Sequence, residues 1–293
     1  MIGPDLALVA VMAVWGSSFP LLRSLLGGPQ SVASPMALLA ARMALSSALL
    51  LGWLLARREL RASRELIRDG LLCGALLAAG FVLQTEGLQH TSASRSGFLT
   101  GLLVVFVPVL DFAIFRRRPR GGALLGIALA FAGMTLLSGP WRERSGSTLL
   151  GDALTVGCAA IFAGHILALG RVARRHPVLP LLLLQLACVA AAAALLGPAI
   201  EPTRLPALPR LWLGVGYLAL FCTLLAFGVQ TWAQRHTTAL RMALISALEP
   251  VFAALWAALL LGERLSGVEM AGAALIVAGV GVGEITSALA ART

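Results

Sequence analysis

The sequence predicts an all-α integral membrane protein of ten transmembrane helices, arranged as two inverted five-helix repeats. Three observations lead to this fold class: long apolar runs along the chain, a one-sided distribution of arginine, and an internal duplication. Hydrophobic residues occupy 59% of the 293 positions and charged residues only 12%, whereas soluble domains carry about 25% charged residues. Mean hydropathy is +0.90. So few charged residues could not cover a water-soluble globule.

The apolar runs define ten candidate spans and leave no room for a separate soluble domain. We place them at 4–23, 33–55, 67–88, 93–115, 121–138, 150–170, 177–197, 209–233, 239–261 and 268–290. A helix needs about 20 apolar residues to cross the hydrocarbon layer of a membrane, and the runs have roughly that length. The lipid bilayer is therefore the expected surrounding of the chain.

The basic residues indicate orientation rather than nucleic-acid binding, although the net charge is +10. All 23 are arginines, and most lie in short loops between apolar runs, as the positive-inside rule describes. If loops alternate sides, one side receives Arg23, Arg95, Arg142, Arg144, Arg204, Arg210 and Arg264. Arg42 lies within the second span, and the other 15 share the side of the N-terminus. This bias predicts that both termini lie in the cytoplasm. The absence of lysine beside abundant alanine, leucine, glycine and arginine indicates a GC-rich bacterial genome, so we expect a bacterial inner-membrane protein.

An internal repeat divides the chain into residues 1–143 and 144–293. Residues 81–95 align without a gap on residues 227–241, at an offset of 146. The identical pairs include Phe81 with Phe227, Gln84 with Gln230, Thr91 with Thr237 and Arg95 with Arg241. With one residue of slack, Asp5 and Trp15 fall opposite Asp152 and Phe162.

The repeat has a mechanistic consequence because each half holds five spans. An odd number makes the second half enter the membrane from the opposite side, so that a two-fold axis in the bilayer plane relates the halves. Inverted halves can exchange conformations, and they hold substrate near the midplane at their interface. The sequence therefore favours alternating-access transport of a small molecule, for which a monomer suffices.

Several local motifs carry a family resemblance. The first span contains Trp15-Gly16-Ser17-Ser18-Phe19, the fourth reads SGFLTGLLVVFVPVL over 96–110, and the ninth contains Glu249-Pro250-Val251-Phe252. In these features the chain resembles the drug/metabolite transporter superfamily, specifically its ten-span EamA-type branch. The resemblance implies export of amino acids, drugs or other metabolites, and the fourth span most resembles the aromatic amino-acid exporter type.

Glu249 is the most informative polar residue in an apolar span. A charge in the hydrocarbon core costs about 2.5–3.5 kcal/mol on insertion scales, so such a residue normally faces the bundle interior. The following Pro250 lacks an N–H and frees a carbonyl one turn back. Glu249 is interpreted as a proton-coupling or substrate-ammonium site, with local capping or pairing to an arginine as the alternative.

Four other polar residues in the spans could belong to the substrate site. His165 could titrate or donate to a substrate carboxylate, or be a core histidine bonded to a carbonyl. Gln84 and Gln230 could line a cavity or bridge helices. Arg42 could attract a substrate carboxylate, but we expect it to extend towards the membrane surface.

Aromatic side chains could pack an aromatic or aliphatic substrate. The predicted substrate-binding set is Trp15, Ser18, Phe81, Gln84, Phe98, His165, Phe221, Gln230 and Glu249. Ser18 could instead bond only to its own helix. No catalytic cluster, metal site or cofactor motif is evident in the sequence, so we expect no enzyme activity and no cofactor. The predicted function is secondary export of amino acids or similar amphiphiles, with a multidrug exporter and a passive channel as alternatives.

Overall fold

Among the residues that the computed structural model describes, ten helical stretches are long and apolar enough to cross a membrane. The structure describes residues 2–26, 33–60, 62–91, 93–119, 121–139 and 148–290. Within those ranges all regular secondary structure is helical. The prediction of an all-α fold with ten spans is confirmed, with boundaries within a few residues of those expected.

The described helices follow one another through short connections. They are α1 (Ile2–Leu26), α2 (Pro35–Ala56), α3 (Arg64–Gln89), α4 (Ala93–Gly101), α5 (Leu103–Phe115), α6 (Gly121–Ser138), α7 (Leu149–Val172), α8 (Val178–Ile200), α9 (Pro209–Tyr217), α10 (Ala226–Ala233), α11 (Ala239–Ser246), α12 (Glu249–Leu261) and α13 (Gly267–Ala290). The fourth span consists of α4 and α5, and the ninth of α11 and α12. The eighth span runs from α9 through a π-helical segment, Leu218–Leu225, into α10.

Helix ends are set by local sequence. The Ser63 side chain accepts a hydrogen bond from the Leu66 N–H at the start of α3, and Thr148 and Thr238 cap α7 and α11 in the same way. A capping oxygen satisfies a backbone donor that has no partner within the helix. At the other end of the ninth span, Gly262 has a positive φ of 68° and ends α12.

The fourth and ninth spans are interrupted at equivalent positions. The fourth span is interrupted at Leu102, and the ninth at Ala247–Leu248. Leu102 and Leu248 are 146 residues apart, which is the offset of the sequence repeat. In the ninth span Pro250 contributes to the interruption, because it has no N–H to donate to the carbonyl of Ser246.

Contacts between the two halves are exchanged in a reciprocal pattern. The last spans of the halves, α6 and α13, pack against each other, and so do the second spans, α2 and α8. The first span of one half packs on the fourth span of the other: α1 contacts α11 and α12, and α7 contacts α4 and α5. Reciprocal pairing of this kind is what a two-fold axis between the halves produces.

Glycines allow α6 and α13 to approach closely. A Cβ added to Gly126 would lie 2.7 Å from the Gly279 carbonyl oxygen, and one added to Gly133 would lie 2.6 Å from that of Gly272. Small residues at matched positions on two membrane helices let their backbones touch. The outward surfaces carry large apolar side chains, such as Leu195 and Leu213, which are more than three-quarters exposed and suited to lipid.

Candidate functional site

Four aromatic rings from four spans meet in the middle of the bundle. The ring centroids of Trp15 and Phe227 are 5.1 Å apart, those of Phe81 and Phe162 are 5.4 Å apart, and those of Phe81 and Phe227 are 6.1 Å apart. These are the tilted and edge-to-face arrangements that aromatic pairs prefer. We call Trp15, Phe81, Phe162 and Phe227 the aromatic tetrad.

The aromatic tetrad has the symmetry of the sequence repeat. Phe81 and Phe227 are separated by the offset of 146, and Trp15 and Phe162 by 147. The Trp15–Phe227 contact therefore has its counterpart in the Phe162–Phe81 contact. Both halves contribute equally to this centre.

Arg42 lies beside the tetrad rather than at the membrane surface. Its guanidinium carbon is 5.3 Å from the centroid of the Phe81 ring, within the range of a cation–π interaction. The side chain is enclosed by the bundle and keeps some accessible surface. The expectation that Arg42 extends to the surface is wrong, because an aromatic face on the third span holds the guanidinium inside.

Glu249 begins α12, directly after the interruption of the ninth span. Its side chain is enclosed but partly accessible. Within the described residues no hydrogen bond or ion pair involves its carboxylate. Both Glu249 and Arg42 lie within electrostatic range of the Cys222 thiol.

Cys222 lies in the π-helical segment of the eighth span and contacts Trp15 of the tetrad. Trp15 Nε1 donates a hydrogen bond to the Cys222 carbonyl oxygen at 2.8 Å, and Cys222 Sγ lies 3.5 Å from the Val14 carbonyl oxygen. A π-helical turn displaces backbone carbonyls from their usual partners, and such turns are frequent at functional sites. Here one of these carbonyls fixes the orientation of the Trp15 ring.

Two predicted polar residues have partners elsewhere in the bundle. Ser18 Oγ donates to the Trp15 carbonyl oxygen at 2.6 Å, so it bonds to its own helix. His165 is 2% exposed, and its Nε2 lies 2.8 Å from Gln185 Oε1. His165 therefore bridges α7 and α8. This resembles the alternative of a core histidine bonded to a carbonyl, except that the oxygen belongs to the Gln185 side-chain amide and not to the main chain.

The two repeated glutamines differ in their surroundings. Gln84 Nε2 lies 3.4 Å from Thr100 Oγ1, which connects the third span to the fourth. Gln230 is buried and donates from Nε2 to Gln234 Oε1 at 3.3 Å. Its own Oε1 has no partner within the described residues.

The structure does not bring two predicted aromatic residues to the centre. Phe98 packs against Phe131 at a centroid distance of 6.0 Å. Phe221 is 45% exposed and lies beside Tyr217 on the outer side of the eighth span. Phe162 and Phe227 were not among the predicted site residues, although their alignment with Trp15 and Phe81 in the repeat was a signal for them.

Matching polar clusters lie at the two ends of the bundle. At one end Arg241 Nη2 lies 3.4 Å from Asp5 Oδ2 and also pairs with Glu284, and Thr237 Oγ1 lies 3.3 Å from Asp5 Oδ1. At the other end Arg95 Nη2 lies 2.6 Å from Asp152 Oδ2, and Thr91 Oγ1 lies 3.2 Å from Asp152 Oδ1. The ends are opposite because five spans separate the start of α1 from the start of α7. We call these the Asp5 cluster and the Asp152 cluster.

A cleft of about 400 Å³ lies apart from the tetrad, where the α2–α3 and α7–α8 connections meet. Ser63, Glu65, Arg175 and His176 are among its lining residues. His176 Nε2 is 2.9 Å from Asp69 Oδ2, and both side chains are buried. This pair joins α3 to the α7–α8 connection.

Comparison with known proteins gives matches over nearly the whole chain. The model of the EamA-like transporter family matches residues 3–139 and 149–282. An uncharacterized transporter of Archaeoglobus fulgidus is 29% identical over 276 residues, covering 94% of this chain and 84% of the relative. The uncharacterized inner membrane transporter YedA of Escherichia coli K12 is 30% identical over 281 residues, covering 92% and 87%.

One protein of known crystal structure has the same fold. It superposes with a TM-score of 0.81 at 22% sequence identity, and the match covers 97% of each chain. The similarity extends over all ten spans, so the whole chain adopts this architecture.

Proposed function

Because the chain belongs to the EamA-like transporter family, we propose that it is a secondary transporter that exports amino acids, aromatic ones among them, or similar small amphiphiles. The family establishes a multi-pass membrane transporter, and the substrate class is our inference from the bundle centre. The observation that carries it is the aromatic tetrad with Arg42 against one of its rings. Such a site offers a large apolar surface beside very few charges, which suits a small amphiphile better than a sugar.

Alternating access is supported by the matched clusters at the two ends. The Asp5 and Asp152 clusters each contain an aspartate, an arginine and a threonine, and each joins the first span of one half to the start of the fourth span of the other. Two inverted halves could release one cluster while keeping the other, which would open the centre to one side at a time. On this proposal the units are residues 1–143 and 144–293.

Orientation follows from the arginine distribution. The side that carries the N-terminus also carries most arginines, so we place it in the cytoplasm of the bacterial inner membrane. The Asp5 cluster would then lie at the cytoplasmic end and the Asp152 cluster at the periplasmic end. One copy of the chain contains both halves, so the proposed transporter is a monomer.

The test is flux of labelled amino acids in proteoliposomes, with and without a pH gradient. We expect saturable flux of phenylalanine and other apolar amino acids and no single-channel conductance. Ion conductance in planar bilayers would identify a channel instead. Export of unrelated cationic drugs without amino-acid flux would identify a multidrug exporter.

A further inference from the structure

Arg42 is a membrane-embedded cation without a carboxylate partner among the described residues. In the other spans Arg95 pairs with Asp152, Arg171 with Asp111, and Arg241 with Asp5 and Glu284. The contact that Arg42 makes is with a ring, that of Phe81. The guanidinium therefore keeps its five N–H donors free of protein acceptors in the described structure.

An enclosed guanidinium without an anion is unfavourable. Removing a cation from water is unfavourable, and a buried charge is normally compensated by a partner. A ring face compensates it only in part. The Arg42 guanidinium would be compensated more fully by an oxyanion. A carboxylate suits it best, because the planar guanidinium can donate two parallel hydrogen bonds to the two carboxylate oxygens.

Glu249 adds an independent observation. It is also enclosed, partly accessible and without a hydrogen-bond partner in the described structure, and no ion pair joins it to Arg42. Both charges lie within electrostatic range of Cys222. A zwitterionic ligand would supply a partner to each of these two charges.

We propose that Arg42 binds the carboxylate of the transported solute, so that the substrates are zwitterions with an apolar side chain. The carboxylate would lie on the guanidinium, the ammonium towards Glu249, and the apolar side chain against the aromatic tetrad. This inference rests on the proposed function and narrows it. Solutes without a carboxylate, including cationic drugs, are then poor substrates.

The experiment compares three ligands that share a phenyl ring: L-phenylalanine, 3-phenylpropionate, which lacks the ammonium, and phenethylamine, which lacks the carboxylate. Binding to detergent-purified protein is followed by tryptophan fluorescence, and phenylalanine flux is measured in proteoliposomes. The variants are Arg42→Gln and Arg42→Lys. The matched control is Arg57→Gln, since Arg57 also lies over a ring, 5.2 Å from the Trp53 centroid, but is exposed.

Arg42→Gln should weaken binding of phenylalanine and 3-phenylpropionate by about tenfold or more, as expected for loss of a charge-assisted contact. Phenethylamine should bind the variant and the wild type equally. Arg42→Lys should recover part of the affinity, because the charge remains while the planar fork is lost. Arg57→Gln should match the wild type with all three ligands, and thermal unfolding should verify that each variant is folded.

Two results would overturn the assignment. One is equal affinity of Arg42→Gln and wild type for both carboxylates, and the other is equal loss for all three ligands in a folded variant. Failure of the proposed function looks different, because the wild type itself would then carry no phenylalanine flux. Wild-type flux with an unaffected Arg42→Gln variant would refute only the role of Arg42.

Discussion

The rings of Phe81 and Phe227 lie 6.1 Å apart, centroid to centroid, although 146 residues separate them in the chain. They are equivalent residues of the sequence repeat, so the two-fold axis of the proposed inverted halves would pass between them. A substrate held at this point touches both halves at once. Movement of one half against the other would then change the surroundings of the substrate directly.

This relationship predicts comparable roles for the two rings. Phe81→Ala and Phe227→Ala should each lower phenylalanine flux by about tenfold to a hundredfold, since truncating an aromatic side chain in this contact removes roughly 1.5–3 kcal/mol of apolar contact. The measurement is initial flux in proteoliposomes. Phe112→Ala is the control, because Phe112 is exposed on α5 and its ring contacts only Arg118 among described ring contacts. A loss confined to one of the two tetrad variants would argue against a substrate on the axis.

Removing the charge of the aspartate in each end cluster should open opposite sides of the transporter. Asp152→Asn removes the ion pair between Asp152 and Arg95, and Asp5→Asn weakens the attachment of Arg241. The reporter is Cys222, which is 2% exposed beside the tetrad, in a background with the other three cysteines replaced by alanine.

We expect Asp152→Asn to accelerate maleimide labelling of Cys222 from the periplasmic side, and Asp5→Asn from the cytoplasmic side. A loss of about 1.4 kcal/mol corresponds to a tenfold increase in rate if opening limits labelling. Vesicles of both orientations distinguish the sides. If either variant accelerated Cys222 labelling equally from both sides, the two clusters would not close separate ends of the transporter.

Glu249→Gln tests coupling to protons. The substitution keeps the size of the side chain and removes its titration, so flux that depends on a pH gradient should become independent of it. Proteoliposome flux is measured with and without the gradient in wild type and variant. Glu263→Gln is the control, because Glu263 lies just after α12 and pairs with Arg23 at the exposed end of the span. Unchanged flux with an unchanged pH profile in Glu249→Gln would exclude the coupling role.

Hydropathy could predict the ten spans, because they follow from local composition. The repeat could predict that Phe81 and Phe227 are equivalent residues, because this follows from one alignment. Phe221 could not be placed in the same way. A π-helical segment interrupts the usual periodicity of the eighth span, and Phe221 lies on its outer side. The position of Arg42 depends on Phe81, a residue of another span, and such a tertiary contact leaves no pattern in a single apolar helix.

Glu201 lies just outside the seventh span, and its carboxyl makes the stability of the folded chain depend on pH. Partial burial raises the pKa of its carboxyl, although the hydrogen bond from the Met36 N–H, at 2.5 Å, opposes this. A raised pKa means that the folded chain holds this proton to higher pH than the unfolded chain. Stability therefore falls as pH rises past the ordinary glutamate value of about 4.3.

The substitution Glu201→Gln should remove this fall and still offer an oxygen to the Met36 N–H. Thermal unfolding in detergent should show the variant gaining stability relative to wild type between pH 4 and neutrality. Glu59→Gln, at an exposed carboxylate after α2, is the matched control. A difference between Glu201→Gln and wild type that stays constant with pH would contradict the assignment.

The contact between α6 and α13 should tolerate no added methyl group at Gly133. A Cβ there would lie 2.6 Å from the Gly272 carbonyl oxygen and 2.7 Å from the Ile276 backbone nitrogen, and backbone atoms cannot yield as a flexible side chain does. Overpacking costs typically about 1–3 kcal/mol, so Gly133→Ala should lower the unfolding temperature. Gly281→Ala on α13 is the control, since its Cβ would meet no atom within 4 Å and alanine favours the helix by up to about 1 kcal/mol. Equal unfolding temperatures for the two variants would show that the glycine contact does not set how closely the halves approach.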